Sequence, residues 1–326
     1  MINAPKKNLG FFPTPIHKLG NLSKYLNAPS IYIKRDDLTG LAIGGNKVRK
    51  LEFLIGDAVS KNYNVIITGG AAQSNHCRQT AGAAAACGLE CHLALGGDEP
   101  ELFNGNLFLD KLFGAIIHWT GKYRKGEKIP ELVEELKSQG KKPYIIPYGG
   151  SNEIGAYGFI QAVDELKKQM ELIHEIFTHI VFASSSGGTH TGLIIGKAKY
   201  NLPFDLVGIQ VDKGEDDQPS YEEVLLNLIN FSAKVTGVNI DFNEQDIILI
   251  KNYLGEGYGI MSDLDREAIR ITAKYEGILL DPVYTGRAMG ALIDMIRNKY
   301  FCKNDKILFW HTGGTPALFS YSDKLL

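Results

Sequence analysis

Apolar residues alternate along this chain between two kinds of segment. Runs of strand length, such as Val65–Gly70, are followed by segments of about ten or more residues with helical periodicity, such as Asn75–Cys87. This alternation is typical of βαβ units around a parallel sheet. The predicted strands are Ile31–Arg35, Val65–Gly70, Cys91–Gly97, Ala115–Trp119, Tyr144–Gly150, His179–Ala183, Leu206–Val211, Ile247–Ile250 and Lys306–His311. The predicted helices are Val48–Lys61, Asn75–Cys87, Phe103–Phe113, Pro130–Ser138, Gly155–Leu172, Thr191–Tyr200, Tyr221–Phe231, Asp263–Glu276 and Gly286–Lys299, and Met1–Leu26 is an irregular lead-in.

The composition is that of a globular protein without a charged macromolecular partner. The chain has 326 residues, which corresponds to about two domains. Its 35 basic and 37 acidic residues nearly balance, so charge gives no argument for a nucleic acid or an anionic membrane as partner. No apolar run has the length of a signal peptide or a membrane span, and the four cysteines match neither a disulfide framework nor a zinc-ligand spacing. We therefore expect a cytoplasmic protein without a metal site.

Paired glycines follow several of the predicted strands. Gly69–Gly70, Gly96–Gly97, Gly149–Gly150 and Gly313–Gly314 end strands, and Gly187–Gly188 follows another. In open α/β sheets ligands bind beyond the carboxyl ends of the strands, where glycine lets backbone amides approach the ligand. One such pair would be an ordinary turn, but five of them predict loops that line one cleft.

The most informative stretch is Gly44–Lys47, directly before the helix Val48–Lys61. Two glycines permit a tight turn, Asn46 is suited to the N-cap, and Lys47 falls in the first turn, where the helix dipole disfavours a cation. A lysine that loses its proton readily can form a Schiff base with an aldehyde such as that of pyridoxal phosphate. The alternative is a solvated lysine at a helix start, like Lys50.

A second stretch, Ser184–Gly192, lies between a predicted strand and a predicted helix. Free amides at a helix start, together with the hydroxyls of Ser186 and Thr189, can hold a phosphate dianion without a lysine. The stretch has neither the Gly-Lys-Ser/Thr ending of a Walker loop nor the glycine spacing of a dinucleotide fingerprint. It is therefore either the site of a lone phosphate or an ordinary turn.

Other polar residues also lie next to predicted helices or strands. Ser74 and Asn75 open a helix, where they can bind a carboxylate and a pyridoxal ring oxygen or can simply cap the helix. Tyr258 and Tyr284 lie in loops, where a tyrosine can relay a proton, although tyrosines more often only pack. Thr312 follows the last strand, and a hydroxyl there would leave a pyridine nitrogen largely neutral.

In order and spacing, seven motifs resemble the D-cysteine desulfhydrase and 1-aminocyclopropane-1-carboxylate (ACC) deaminase family. The motifs are Lys34–Asp37, Gly44–Glu52, Gln73–His76, Gly149–Asn152, Ser186–His190, Asp281–Tyr284 and His311–Gly314. These are pyridoxal-phosphate enzymes of the tryptophan-synthase β-subunit type. The resemblance covers nearly the whole chain and implies the α/β fold type II: two open, twisted, mostly parallel sheets with helices on both faces. It also implies an active site in the cleft between a larger domain of residues 1–51 and 157–326 and a smaller one of residues 52–156, and a homodimer.

The resemblance further implies roles for individual residues. The expected cofactor-binding residues are Lys47, which forms the Schiff base, Asn75, Ser186, Gly187, Gly188, Thr189 and Thr312. The expected catalytic residues are Lys47, Ser74, Tyr258 and Tyr284. The expected substrate-binding residues are Ser74, Asn75, His76, Tyr284 and Thr285. ACC deaminases are expected to have glutamate and leucine where this chain has Thr285 and Thr312, so the resemblance favours the desulfhydrase branch.

The expected reaction is α,β-elimination from the amino acid D-cysteine. Lys47 takes the Cα proton, and sulfide leaves from Cβ with help from Tyr284, so that pyruvate, hydrogen sulfide and ammonia form. ACC deamination, or elimination from another β-substituted amino acid such as L-cysteate or chloroalanine, stays open within the class. The alternative from another class is a non-catalytic module that binds a phosphorylated metabolite through the Ser186 loop.

Overall fold

A computed structural model describes residues 5–213 and 219–325. The strands are β1 (Ile16–Lys18), β2 (Ser30–Arg35), β3 (Val65–Ala71), β4 (Glu90–Gly96), β5 (Ile116–Trp119), β6 (Pro143–Ile145), β7 (His179–Ser184), β8 (Asp205–Gln210), β9 (Ile248–Ile250) and β10 (Lys306–His311). The helices are α1 (Gly20–Tyr25), α2 (Lys47–Ser60), α3 (Asn75–Ala86), α4 (Gly105–Leu112), α5 (Ile129–Ser138), α6 (Glu153–Ile173), α7 (Gly188–Lys199), α8 (Tyr221–Thr236), α9 (Asp263–Glu276), α10 (Thr285–Arg297) and α11 (Ser322–Leu325). None of these helices is both long enough and apolar enough to span a bilayer.

The strands form two sheets. The six-stranded sheet has the order β1-β2-β10-β7-β8-β9, and within it β1 runs antiparallel to β2 while the other pairs are parallel. The four-stranded sheet has the order β5-β4-β3-β6 and is parallel throughout. The predicted fold class, two mostly parallel sheets surrounded by helices, is confirmed.

Both faces of each sheet are covered, which explains why the strands read as continuous apolar runs. In β2, Tyr32 belongs to one buried cluster, whereas its neighbours Ile31 and Ile33 belong to another on the opposite face. In β3, Ile66 and Ile67 likewise point into separate clusters. Each sheet is therefore the middle layer between helices on its two sides.

The sequence-based prediction differs from the structure mainly near the N-terminus. The segment read as an irregular lead-in contains β1 and α1, and the side chains of Leu19 and Leu22 are fully buried there. The prediction missed these elements because each has six residues or fewer, too short to show a period.

The predicted ends of one strand and one helix were also wrong. The strand predicted for Tyr144–Gly150 ends at Ile145, after which the chain makes a 3₁₀ turn at Tyr148–Gly150. Helix α8 continues past Phe231 to Thr236, where Gly237 in the left-handed conformation ends it. The predicted domain division stays a prediction, although β3 to β6 all belong to the four-stranded sheet.

Candidate active site

A cavity of about 580 Å³ opens where loops from the two sheets meet. Loops that follow β7 and β10 contribute from the six-stranded sheet, and loops that follow β3 and β6 contribute from the four-stranded sheet. The cavity therefore lies beyond the carboxyl ends of parallel strands, as ligand sites in such folds do.

Most of the predicted site residues meet in this cavity. Those that line it are Lys47, Ser74, Asn75, His76, Ser186, Gly187, Thr189, Tyr284 and Thr312. The other three lie behind the wall. Gly188 is the first residue of α7, and the hydroxyl oxygen of Tyr258 lies 2.6 Å from that of Tyr284. The fully buried Thr285 hydroxyl donates to the Asp281 carboxylate at 2.8 Å, so this side chain is held within its own loop.

The turn before Lys47 depends on its glycines. Gly44 and Gly45 have φ angles of 67° and 133°, in the left-handed region that favours glycine. A Cβ atom on Gly44 would lie 1.9 Å from the carbonyl oxygen of Asp37, so no other residue fits there without movement of the backbone. The predicted tight turn is confirmed.

Asn46 does not cap α2 with its side chain, contrary to the sequence-based expectation. Its backbone is already helical, and its side chain faces the cavity instead. The Asn46 amide nitrogen donates to Thr189 Oγ1 at 3.0 Å, and the Asn46 oxygen accepts from Lys47 Nζ at 3.1 Å. Asn46 thus connects the lysine with the loop at the start of α7.

The half-buried Lys47 has an unusually acidic ammonium group. Its pKa is lowered to about 8: burial is the main cause and the nearby Arg78 adds to it, while Asp281 acts in the opposite direction. The expectation of a lysine that loses its proton readily agrees with this value, but the main physical cause is burial rather than the helix dipole. Near pH 8 such an amine is available as a nucleophile or a base.

The loop after β7 forms one end of the cavity. Gly187 has a φ of 87° and turns the chain into α7, whose first amides have no acceptor within the helix. Ser151 braces this loop, since its hydroxyl donates to Ser186 Oγ at 2.8 Å and accepts from the Gly188 amide at 3.1 Å. Amides at the start of a helix are a ready anion site.

Lys50 is a second lysine at this end, and the interpretation of it as a solvated lysine was wrong. Its side chain is only 1% exposed, and its Nζ donates to the Gly149 carbonyl at 3.0 Å. Within residues 5–213 and 219–325 it forms no ion pair with a carboxylate, and burial lowers its pKa well below the ordinary value. A Cβ atom on Gly188 would lie 2.9 Å from Nζ, so the ammonium group lies against the start of α7. A buried amine beside the amides at a helix start suits a bound dianion, whose charge would favour the protonated form of the amine.

The start of α3 supplies the facing wall. Ser74 caps the helix by accepting from the Cys77 amide at 3.2 Å and also lines the cavity, so the capping and the binding interpretations are compatible. The Asn75 oxygen accepts from the Asn106 amide at 2.8 Å, which leaves the Asn75 NH₂ group as a donor.

The buried His76 is a neutral imidazole. Burial lowers its pKa well below the ordinary value, and the neighbouring Lys47 and Lys50 lower it further. Its Nε2 lies 2.8 Å from Thr68 Oγ1, whereas Nδ1 has no hydrogen-bond partner among the described residues. His76 can therefore meet a substrate carboxylate only as a neutral N–H donor.

Sequence reasoning also missed Tyr148, which lines the cavity. The prediction placed it inside a strand, but the chain has already left the sheet and Gly149 has a φ of 64°. A Cβ atom on Gly149 would lie 2.1 Å from Ser186 Oγ, so the glycine lets this turn pack on the α7 loop. The Gly149–Gly150 pair was the signal that a loop begins here.

The model of one protein family, described as pyridoxal-phosphate dependent enzyme, matches residues 7–313 of this chain. The chain belongs to that family. The expected cofactor, pyridoxal 5′-phosphate, is confirmed at this level, as is the resemblance from which it was inferred.

Individual relatives of this pyridoxal-phosphate enzyme match almost end to end. A D-cysteine desulfhydrase of Klebsiella pneumoniae (strain 342) is 41% identical over 331 residues, which cover 98% of this chain and 97% of the relative. A D-cysteine desulfhydrase of Yersinia enterocolitica is 41% identical over 324 residues, which cover 97% and 96%. A crystal structure described as that of an ACC deaminase homologue superposes with a TM-score of 0.90 at 42% identity and covers 99% of this chain and 96% of that chain.

The cavity fits the family's cofactor in its donor set. Lys47 offers an amine to an aldehyde, and the amides at the start of α7 together with Lys50 suit a phosphate. The Asn75 NH₂ group suits a ring oxygen, and Thr312 lines the same cavity with a hydroxyl. An enzyme with these features handles amino acids through chemistry at Cα.

Proposed function

We propose that this protein is a D-cysteine desulfhydrase, which converts D-cysteine and water into pyruvate, hydrogen sulfide and ammonia. The observation that carries the reaction type is Lys47, an amine with a pKa of about 8 that lines one cavity with residues at the start of α7. The buried Lys50 lies behind that end of the cavity, against Gly149 and Gly188. The substrate is supported by the two desulfhydrases, which are 41% identical to this chain over nearly its full length.

In this proposal Lys47 and the α7 loop hold the two ends of the cofactor. Lys47 Nζ takes the aldehyde, and Ser186, Gly187, Gly188 and Thr189, with Lys50, take the phosphate. When bound, pyridoxal phosphate supplies an electron sink for the negative charge that develops at Cα.

The protein's own residues then orient the amino acid and move protons. Ser74, Asn75 and the neutral His76, at the start of α3, receive the substrate carboxylate, where the helix N-terminus favours an anion. The substrate's own amino group takes the place of Lys47 at the aldehyde carbon, and the Lys47 amine released in this exchange accepts the Cα proton. The Cα–H electron pair forms a double bond to Cβ, the Cβ–S bond breaks, and its electron pair leaves with sulfur.

Tyr284 supplies a proton to the departing sulfur. Burial raises the pKa of Tyr284 well above 10, so the hydroxyl keeps its proton at neutral pH, and it lines the cavity. The unsaturated amino acid that leaves reacts with water to give pyruvate and ammonia. Tyr258, behind Tyr284, acts through the hydrogen bond between the two hydroxyls.

We assign the contact with the pyridine nitrogen to Thr312 rather than Thr285. Thr312 lines the cavity, whereas the Thr285 hydroxyl donates to Asp281 and accepts from the Asp281 amide at 2.7 Å. A threonine hydroxyl leaves the ring nitrogen largely neutral, which weakens the electron sink and favours rapid loss of a β leaving group. A neutral ring nitrogen therefore favours a desulfhydrase over an ACC deaminase.

A substrate panel tests the proposed function. The holoenzyme is incubated with D-cysteine, L-cysteine, ACC and L-cysteate, and 2-oxo acid and ammonia are measured for each. The proposal expects the highest kcat/KM with D-cysteine, with equal amounts of pyruvate and sulfide. Faster turnover of ACC or of L-cysteate contradicts the substrate assignment, and bound cofactor without turnover of any of the four supports the non-catalytic module.

We also propose a homodimer in the cytoplasm. The homodimer rests on the family resemblance, and light scattering tests it by a mass twice that of the chain. The cytoplasm is supported by the four cysteines, which are all free thiols, as is common in a reducing compartment.

A further inference from the structure

The loop of residues 121–127, between β5 and α5, lies across the ends of β3 and β4. A Cβ atom on Gly69 would lie 2.7 Å from Gly126 Cα, and one on Gly96 would lie 2.6 Å from Arg124 Cβ. The Gly97 amide donates to the Gly121 carbonyl at 2.6 Å. Because these glycines have no side chain, the loop packs directly on the ends of β3 and β4. This packing holds the backbone of Arg124 on the four-stranded sheet.

From this loop the Arg124 side chain reaches the other sheet. Its Nη1 and Nη2 donate to the two oxygens of Asp212, just after β8, at 3.0 and 2.9 Å. Asp212 is 10% exposed and Arg124 is 30% exposed. A bidentate pair of this kind fixes the plane of the guanidinium group as well as its position.

The fixed guanidinium group lies on the ring of Tyr258. Arg124 Cζ is 4.5 Å from the ring centroid, within the range of a cation–π contact. The Tyr258 hydroxyl in turn lies 2.6 Å from the hydroxyl of Tyr284, on the cavity wall. A continuous contact path therefore joins Asp212, Arg124, Tyr258 and Tyr284.

Distance alone does not decide which tyrosine donates in this pair, so the surroundings of the two hydroxyls have to be compared. Burial raises the pKa of both hydroxyls well above 10. At Tyr258 the neighbouring Tyr148 and Asp212 add to that rise, while the hydrogen bond with Tyr284 and the charge of Arg124 oppose it.

At Tyr284 the hydrogen bond with Tyr258 and the carboxylate of Asp281 both add to the rise, and no cation among the described residues opposes it. When a hydroxyl donates its proton in a hydrogen bond, its oxygen becomes more negative, and a nearby positive charge stabilises that oxygen. The charge of Arg124 therefore makes the Tyr258 hydroxyl the stronger donor of the two. Tyr258 then donates to Tyr284, and the proton of Tyr284 stays free for the cavity.

We propose that Arg124, held by Asp212, is a positioning residue that sets the direction of the Tyr258–Tyr284 hydrogen bond so that Tyr284 donates into the cavity. This inference rests on the proposed elimination, in which that proton goes to the sulfur leaving Cβ. Arg124 is not among the described residues that line the cavity, so it acts through Tyr258.

The test compares two leaving groups in the holoenzyme. Sulfur from D-cysteine leaves with a proton, whereas chloride from β-chloro-D-alanine leaves without one. Arg124→Gln removes the positive charge and the bidentate pair with Asp212. We expect kcat for D-cysteine to fall about tenfold, which is a part of the ~10²–10⁴-fold effect of a general acid, and KM to change less than about twofold. We expect kcat for β-chloro-D-alanine to stay within about twofold, and Arg124→Lys, which keeps the charge, to recover part of the loss with D-cysteine.

Two comparisons separate positioning from a structural role. Tyr284→Phe should show the same selectivity, and adding Arg124→Gln to it should cause no further loss, because both changes act on one proton. Arg297→Gln removes another bidentate arginine, paired with Glu267 at 2.8 and 2.7 Å on the surface, and should leave the ratio of the two activities unchanged.

Equal losses with both substrates, or no loss with either, overturn the assignment, as does a double variant whose losses multiply. Thermal unfolding of each holoenzyme shows whether a general loss follows from misfolding. A wild-type protein that releases no pyruvate from D-cysteine contradicts the proposed function and with it this assignment. An active wild type whose ratio does not change in Arg124→Gln contradicts the assignment alone.

Discussion

Lys47 and Lys50 lie three residues apart at the start of α2, and burial lowers the pKa of both ammonium groups. The sequence predicted an acidic Lys47 from the turn before it but took Lys50 for a solvated side chain. Spacing along a helix tells which residues share a face, not which distant segment covers that face. Lys50 is covered by the turn around Gly149, which comes from another part of the chain.

The lowered pKa of Lys47 predicts when this amine becomes reactive. In the cofactor-free protein, an amine-selective reagent should label Lys47 with a midpoint near pH 8, and peptide mass analysis reads the extent of labelling. In the unfolded chain the pKa of a lysine is about 10.4, so between about pH 8 and pH 10.4 the folded protein binds fewer protons at Lys47 than the unfolded chain does. The contribution of Lys47 to the unfolding free energy therefore rises with pH over this range. A midpoint near pH 10 would contradict the burial argument.

For Lys50 we predict that substitution weakens cofactor binding without a loss of stability. Lys50→Gln should weaken pyridoxal phosphate binding about tenfold to a hundredfold, which matches the ~1.5–3 kcal/mol of a hydrogen bond to a charged group. The unfolding free energy of the cofactor-free protein should not fall, because the variant removes a buried amine that is costly to protonate and has no carboxylate partner among the described residues.

Equilibrium dialysis and chemical denaturation measure the two effects. Lys168→Gln, at an exposed lysine paired with Asp164, is the matched control and should change neither. Unchanged cofactor affinity in Lys50→Gln would place the phosphate elsewhere.

At the scale of elements, the glycine pairs predicted loops that line one cleft, but in the structure only some of these glycines line the cavity. Gly149 and Gly187 line the cavity, as expected. Gly69 and Gly96 instead accommodate the loop of residues 121–127. Sequence alone could not separate these uses, since in both cases a backbone approaches where a side chain would collide.

We predict that Gly96→Ala destabilises the protein by about 1–3 kcal/mol through overpacking against the Arg124 backbone, whose Cα would lie 2.9 Å from the new methyl group. Gly20→Ala, at the start of α1 with no atom within 4 Å of the added Cβ, should be neutral or stabilising by up to about 1 kcal/mol. Denaturant titration of both variants tests the pair, and equal stabilities would show that the loop is not tightly seated on β4.

At the scale of the whole molecule, the alternation of strands and helices predicted the parallel sheets, and the motif order predicted most of the cavity wall. The tertiary partners could not be predicted. Arg124 and Asp212 come from different sheets, and nothing in their local sequence links them to Tyr258. The short β1 and α1 were missed because they are held by pairing and burial rather than by a pattern of their own.

One reactive amine, Lys47, lies where loops from the two sheets meet. The most direct measurement is to bind pyridoxal phosphate to the protein, reduce it with borohydride and locate the attached pyridoxyl group by peptide mass analysis. The account predicts a single modified residue, Lys47, and none in Lys47→Ala. A label on Lys50 or another lysine, or bound cofactor that borohydride does not attach, would contradict it.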